Sequence, residues 1–265
     1  MNKNFPFELI YQVFSLLIII IIVHAAYVAV IRPNAEAELE QQAAQINVDK
    51  NYVPKRSIYI LVRDYEQEAC FILMFWALVI MSYKAAALIK ERSLLEKDIL
   101  HAKEGIKFLP QDTRDLSRQI QALPPEVQNY LLPRALQIAL HRFSSTKNIQ
   151  DVSSATHIIC ESESEKLDSE LSIIRYITWA IPSIGFLGTV RGIGDALGQA
   201  HKAVEGDIAG VTESLGVAFN STLIALCISI VLMFIVHQIQ LLQERFILDT
   251  QNYCNNNLIR HLQVQ

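Results

Sequence analysis

The sequence predicts an all-α integral membrane protein with four transmembrane helices and a helical cytoplasmic extension. Three observations predict it. Apolar residues make up 51% of the chain and mean hydropathy is +0.25, high for a soluble protein that also carries 19% charged residues. The apolarity is gathered into runs long enough to cross a bilayer. Eight of the nine glycines fall between Gly185 and Gly216, so close backbone packing is confined to one hairpin.

The first helix occupies 1–31, with a short cytoplasmic N-terminus. Leu9–Ile31 holds no Asp, Glu, Lys or Arg over 23 residues, a length that spans. Small residues (Ala25, Ala26) follow the apolar run as in a cleaved signal peptide. That run exceeds an ordinary signal core, and only Lys3 and the amino terminus precede it, so an uncleaved helix is expected. Residues 32–68 form a periplasmic loop without glycine or cysteine. Within it AEAELEQQAAQI reads as a short helix, either a plain surface helix or a contact for a periplasmic partner. The second span is 69–90: Ala69–Tyr83 is charge-free, and Lys84 can snorkel so that the helix continues to Ile89.

Residues 91–172 form a helical cytoplasmic domain. Gly105, Pro110, Pro124–Pro125 and Pro133 punctuate it. Between them SLLEKDILHAKEGI, TRDLSRQIQAL and EVQNYLLPRALQIALHRF carry helical patterns. Pro125 with Glu126 suits a helix start, and Pro133 predicts a kink or break. The polar stretch from Ile149 is expected to run as a helix into the third span. The hairpin of third and fourth spans covers 173–240, and a cytoplasmic C-terminal helix covers 241–265. The fourth span is charge-free from Ser214 to Gln243, longer than a bilayer requires, so its tail leaves the membrane. Lys84, Lys90, Arg92, Lys97, Lys103 and Lys107 follow the second span. The turn between the last two spans has only His201 and Lys202. The positive-inside rule therefore places the middle segment and both termini in the cytoplasm.

The chemistry sits in the hairpin, IPSIGFLGTVRGIGDALGQA followed by ESLGVAFNSTLIALCISI. Gly185, Gly188, Gly192, Gly194 and Gly198 are candidate packing positions, and Gly188-xxx-Gly192 and Gly194-xxx-Gly198 both have the small-xxx-small spacing. At 100° per residue, Pro182, Phe186 and Thr189 share one face of the third span. Ala218, Thr222, Ala225 and Ser229 form a small, partly polar stripe on the fourth. Such a stripe lines a narrow aqueous path, or its hydroxyls bond to carbonyls one turn back and serve packing alone. Pro182 kinks its helix as a packing feature or as a coupling hinge. Arg191 and Asp195, spaced i, i+4, form an interfacial pair or a gate and partner contact.

Several function classes are disfavoured. Net charge is −4 with an isoelectric point near 6.0, and no basic run is interleaved with aromatics, so nucleic acid is not an expected partner. The four cysteines have neither metal-ligand nor disulfide spacing, and His24 and His237 stand singly, so no metal and no cofactor are expected. Neither a phosphate-binding loop, a nucleophile elbow nor an HExxH motif occurs, which argues against an enzyme. No Asp or Glu lies mid-span, and a threonine cannot store a proton at neutral pH. The chain alone is therefore not expected to conduct protons.

The hairpin's GFLGTVRGIGDAL and SLGVAFNSTLIAL, about a quarter of the chain, resemble the MotA/TolQ/ExbB proton channel family. The resemblance implies a homopentameric ring in the bacterial inner membrane around a dimer of a single-span MotB/TolR/ExbD-like protein. It also implies that the missing acid is an Asp on that partner's membrane helix, facing a ring of Thr189 and Thr222. Arg191 stands where the TolQ/ExbB branch carries an aromatic. Without the resemblance, a non-conducting membrane scaffold or a small-solute transporter remain as readings. The latter lacks an inverted repeat and a charged pocket within the spans.

Overall fold

The computed structural model describes residues 5–49, 52, 57–100 and 107–264. α1 (Phe5–Ala26) passes through one π turn (Tyr27–Ile31) into α2 (Arg32–Val48). Pro33 accounts for that turn. It has no N–H, and its ring crowds the carbonyl four residues back, so the helix widens there and the Arg32 N–H bonds to the Tyr27 carbonyl five residues back. The expected surface helix is thus a continuation of the first span. α3 (Ile58–Val62) is a short element the sequence did not announce, capped by the Ser57 hydroxyl accepting from the Tyr59 N–H at 3.2 Å. α4 (Tyr65–Arg92) ends in a 3-10 turn (Ser93–Glu96).

α5 (Thr113–Gln121) and α6 (Pro125–Gln128) precede α7 (Leu131–Thr146) and α8 (Ile149–Glu170). α9 (Ser172–Gly198), the short α10 (Ala200–Val204) and α11 (Ala209–Asn257) complete the helices, with a closing 3-10 turn at Ile259–His261. Gly206, at φ 98°, makes the turn before α11. Among the described residues the β-pairing is one isolated bridge, Phe108 with Leu262. Among the described residues four helices are long and apolar enough to cross a membrane. The chain is a multi-pass all-α membrane protein.

The chain forms two compact units, one within 1–81 and 173–236, the other within 82–172 and 237–265. In the first, Ile19, Val23 and Tyr27 of the first helix pack on Phe71, Ile72, Trp76 and Val79 of α4. The Trp76 indole N–H donates to the Gln12 carbonyl at 3.0 Å. Many large apolar side chains point outward, among them Ile21, Phe186, Phe219 and Ile230. Lipid is the solvent that makes such a surface stable.

The second unit has an interior of the soluble kind. Leu132, Leu136, Leu140 and Phe143 of α7 pack with Leu116 and Ile120 of α5, Val152 and Ile159 of α8, and Phe246 of α11. Two expectations change here. SLLEKDILHAKEGI does not make one helix: after the 3-10 turn the chain extends at Lys97 (ψ 133°). The Tyr253 hydroxyl accepts from the Ile99 N–H and donates to the Lys97 carbonyl, at 3.0 and 3.1 Å, while Ile99 and Leu100 are buried. Core burial and a side-chain hydroxyl replace the helical bonds. Gly105 lies outside the described residues. Pro133 sits in the first turn of α7, where an N–H has no helical acceptor, so it does not bend the helix. The break falls just before, at Asn129 and Tyr130. Lys84 does not snorkel; it is buried and pairs with Glu170 at 2.9 Å.

Candidate ion-path hairpin

α9 and α11 meet along small residues. Gly185, Gly188 and Gly192 are buried and face Ala225, Ser221 and Ala218 in turn. A Cβ at Gly188 would sit 2.5 Å from the Ser221 Cβ. One at Gly192 would sit 2.7 Å from the Ser214 carbonyl oxygen and 2.8 Å from the Ala218 Cβ. Only glycine permits this approach, the geometry that small-xxx-small spacing serves in lipid. Gly194 and Gly198 behave differently, for nothing lies within 4 Å of the space their side chains would fill. At 100° per residue Gly194 is turned about 180° from Gly185, so the second glycine pair points away from the hairpin seam. Phe186 also leaves the seam and is exposed, which separates it from Pro182 and Thr189.

The hydroxyls cross-link the two helices. The Thr189 and Thr222 hydroxyls hydrogen-bond to each other. Thr189 Oγ1 also reaches the Ala218 carbonyl and Thr222 Oγ1 the Gly185 carbonyl, both at 3.1 Å. Thr189 Oγ1 also lies 3.4 Å from the Gly185 carbonyl one turn back, so two hydroxyls with two protons have four bonds competing for them. The pair can therefore hand a donor from one acceptor to another, and it keeps lone pairs for a water or a carboxyl group. Both threonines stay partly exposed, as does Pro182. Ala218, Ala225 and Ser229 are buried against α9 within the chain.

Pro182 and Ser229 belong together. A proline within a helix frees the carbonyl four residues back, here that of Thr178. The Ser229 hydroxyl donates to this carbonyl at 3.1 Å. A backbone group that lipid could not satisfy is thus satisfied from the neighbouring helix. The Cys70 thiol, from α4, lies 3.7 Å from the Ile181 carbonyl at the same level.

Charged groups gather at the ends of this unit's helices. Arg191 does not pair with Asp195. Its guanidinium grips Glu66 of α4 through two bonds, Nε to Oε1 at 2.8 Å and Nη2 to Oε2 at 2.9 Å. The fork geometry of a two-bond pair outweighs the single-turn partner. Glu68 is buried and bonds to His24 at 2.7 Å and to Arg32, which also stacks over Tyr65 at 4.3 Å. Arg63 bridges Asp64 at 3.6 Å and Glu213 at 2.9 Å. Burial holds the Asp64 carboxyl above the ordinary carboxylate range, against the pull of Arg63 and Arg191.

Ser221, Glu66 and Cys70 are the site residues that sequence reasoning left out. Ser221 had a signal, since it stands three residues after Ala218 and four before Ala225, on the stripe's own face. Glu66 had none, because nothing in the chain's order pairs α4 with α9. Among the described residues no cluster of three metal-ligating side chains occurs, and all four cysteines are free.

The profile of the MotA/TolQ/ExbB proton channel family matches residues 126–252, from α6 into α11. That stretch, just under half of the chain, includes the whole hairpin, and over it the chain is similar to that family. No curated protein and no solved structure matches it.

Proposed function

We propose that this chain is the ring-forming subunit of a bacterial inner-membrane proton channel that converts proton motive force into mechanical work. Five copies surround a dimer of a single-span MotB/TolR/ExbD-like protein whose membrane Asp meets the threonines. The observation that carries this reading is the bonded pair Thr189–Thr222, half-exposed at a glycine seam, in spans without a mid-membrane carboxylate. A hydroxyl pair orients a proton donor but does not store the proton, so the partner must bring the acid. Pro182 and Ser229 hold the helix shape behind the pair, and Ala218 and Ala225 set its spacing. One elementary charge crossing 100 mV releases about 2.3 kcal/mol, enough for a few protons to drive a mechanical step.

Burial of Ala218, Ala225 and Ser229 favours a second reading, a membrane scaffold that assembles without conducting. Proton flux into liposomes holding the chain with and without its partner separates the two. Flux that needs both components supports the channel, and an intact complex that conducts nothing supports the scaffold. In the proposed orientation 91–172 and both termini are cytoplasmic and the turn at Gly206 is periplasmic. With native thiols replaced, an impermeant thiol reagent on intact cells should label Gly206→Cys and spare Ser117→Cys. The opposite pattern overturns the orientation.

A further inference from the structure

We propose that Glu66 and Arg191 form an ion-pair latch at the mouth of the ion path, an inference that rests on the channel reading above. Arg191 lies two residues beyond Thr189 on α9, and Glu66 stands in the first turn of α4. Their two bonds, 2.8 and 2.9 Å, clamp one helix to the other. The Glu66 side chain is largely buried, at 16% exposure. Its Cγ lies 3.3 Å from the point a Gly188 Cβ would occupy, and the Ser221 Oγ lies 2.7 Å from that same point. The arm of the glutamate, the bare backbone of Gly188 and the Ser221 hydroxyl thus share one small volume beside Thr189. Gly188 admits the carboxylate arm as well as α11.

Electrostatics gives the latch its sign. Arg191 stands only two residues along α9 from Thr189, on the side that faces α4. Its charge therefore acts across the helix on a cation that reaches the Thr189–Thr222 pair, and Glu66 is the carboxylate bonded to that guanidinium. While the pair is closed, the two charges cancel. Without Glu66 a fixed positive charge faces the path and repels cations. Without Arg191 a carboxylate is left beside the hydroxyls and attracts them. Of the other charges here, Asp64 and Glu213 bond to Arg63, Asp64 also feels Arg191, and Asp195 stands one turn beyond Arg191 on α9. A purely structural clamp has no such sign, because losing either partner loosens the same contact.

The test is proton flux through the full complex, purified with its partner from native membranes and reconstituted in liposomes with a lumenal pH dye. Glu66→Gln should lower flux at least fivefold and Arg191→Gln should raise it at least threefold. The reversed pair Glu66→Arg with Arg191→Glu should return flux to within twofold of the unaltered complex. If Glu66→Gln does not assemble, Glu66→Met is read instead; it removes the charge while keeping the length of the arm, and should likewise lower flux at least fivefold. Single variants that shift flux in the same direction, or leave it within twofold in assembled complexes, overturn the latch. Thr222→Val in the same preparation separates the two claims. If it conducts normally, the ion-path reading fails and the latch with it. If it stops flux while the latch variants conduct normally, the latch alone is wrong.

Discussion

Both units are helical, and they solve opposite packing problems. In the unit within 82–172 and 237–265, bulk goes inward: Phe143, Leu136 and Ile120 are fully buried. Charge there lies in ion pairs such as Arg134 with Glu163 at 2.8 Å and Arg92 with Asp249 at 3.1 Å. In the unit within 1–81 and 173–236, many bulky side chains point outward as well as inward, and the hairpin seam is glycine, alanine and hydroxyl. Water expels apolar surface and rewards a large-side-chain core. Lipid does not, so helices there gain by approaching closely and by satisfying polar groups on one another. The difference teaches where each unit is fragile. One fails when it loses volume, the other when it gains it.

The largest effect is expected where volume is lost from the large-side-chain interior of the unit within 82–172 and 237–265. Phe143→Ala should cost about 3–5 kcal/mol, seen as a drop in the denaturation midpoint in detergent. Phe186→Ala, the same deletion on the outward face of α9, should leave that midpoint almost unmoved. Equal losses would break the comparison. Next comes volume gained at the seam. Gly188→Leu should cost about 1–3 kcal/mol of overpacking and shift the complex towards smaller species by native mass spectrometry. Gly194→Leu, at matching small-xxx-small spacing but away from the seam, should have little effect. A complex of unaltered mass from Gly188→Leu would show that the seam tolerates bulk.

Much of this was legible in the chain. The spans announce themselves because lipid excludes charge, so each appears as a charge-free run whatever its neighbours are. Gly185, Gly188 and Gly192 were legible for a similar reason, since close approach demands glycine at one angular position. Gly194 and Gly198 carry the same spacing and were read the same way. Summing 100° per residue from Gly185 separates them, which spacing alone does not. Thr189 and Thr222 stood out as mid-span hydroxyls, but their meeting depends on the register between two helices, and no periodicity encodes that. The Arg191–Glu66 pair was hidden for the same reason. An i, i+4 partner is visible in sequence, whereas a partner 125 residues away is not. Lys97 to Leu100 were misread because helical propensity yielded to the Tyr253 hydroxyl and the core beneath it.

The central claim is that the Thr189–Thr222 pair serves the passage of protons. The direct measurement is proton flux through the reconstituted complex for Thr222→Val, Thr222→Ser and the double change Thr189→Val with Thr222→Val, with assembly confirmed. Valine keeps the branched shape and removes the hydroxyl, so the complex should assemble at a cost of about 1 kcal/mol for the lost bonds. Flux should fall at least tenfold for Thr222→Val and further for the double change, while Thr222→Ser should retain most of it. If packing alone explains these residues, the ranking reverses, with valine tolerated and serine harmful through its missing methyl. Full flux in the double valine complex contradicts the account.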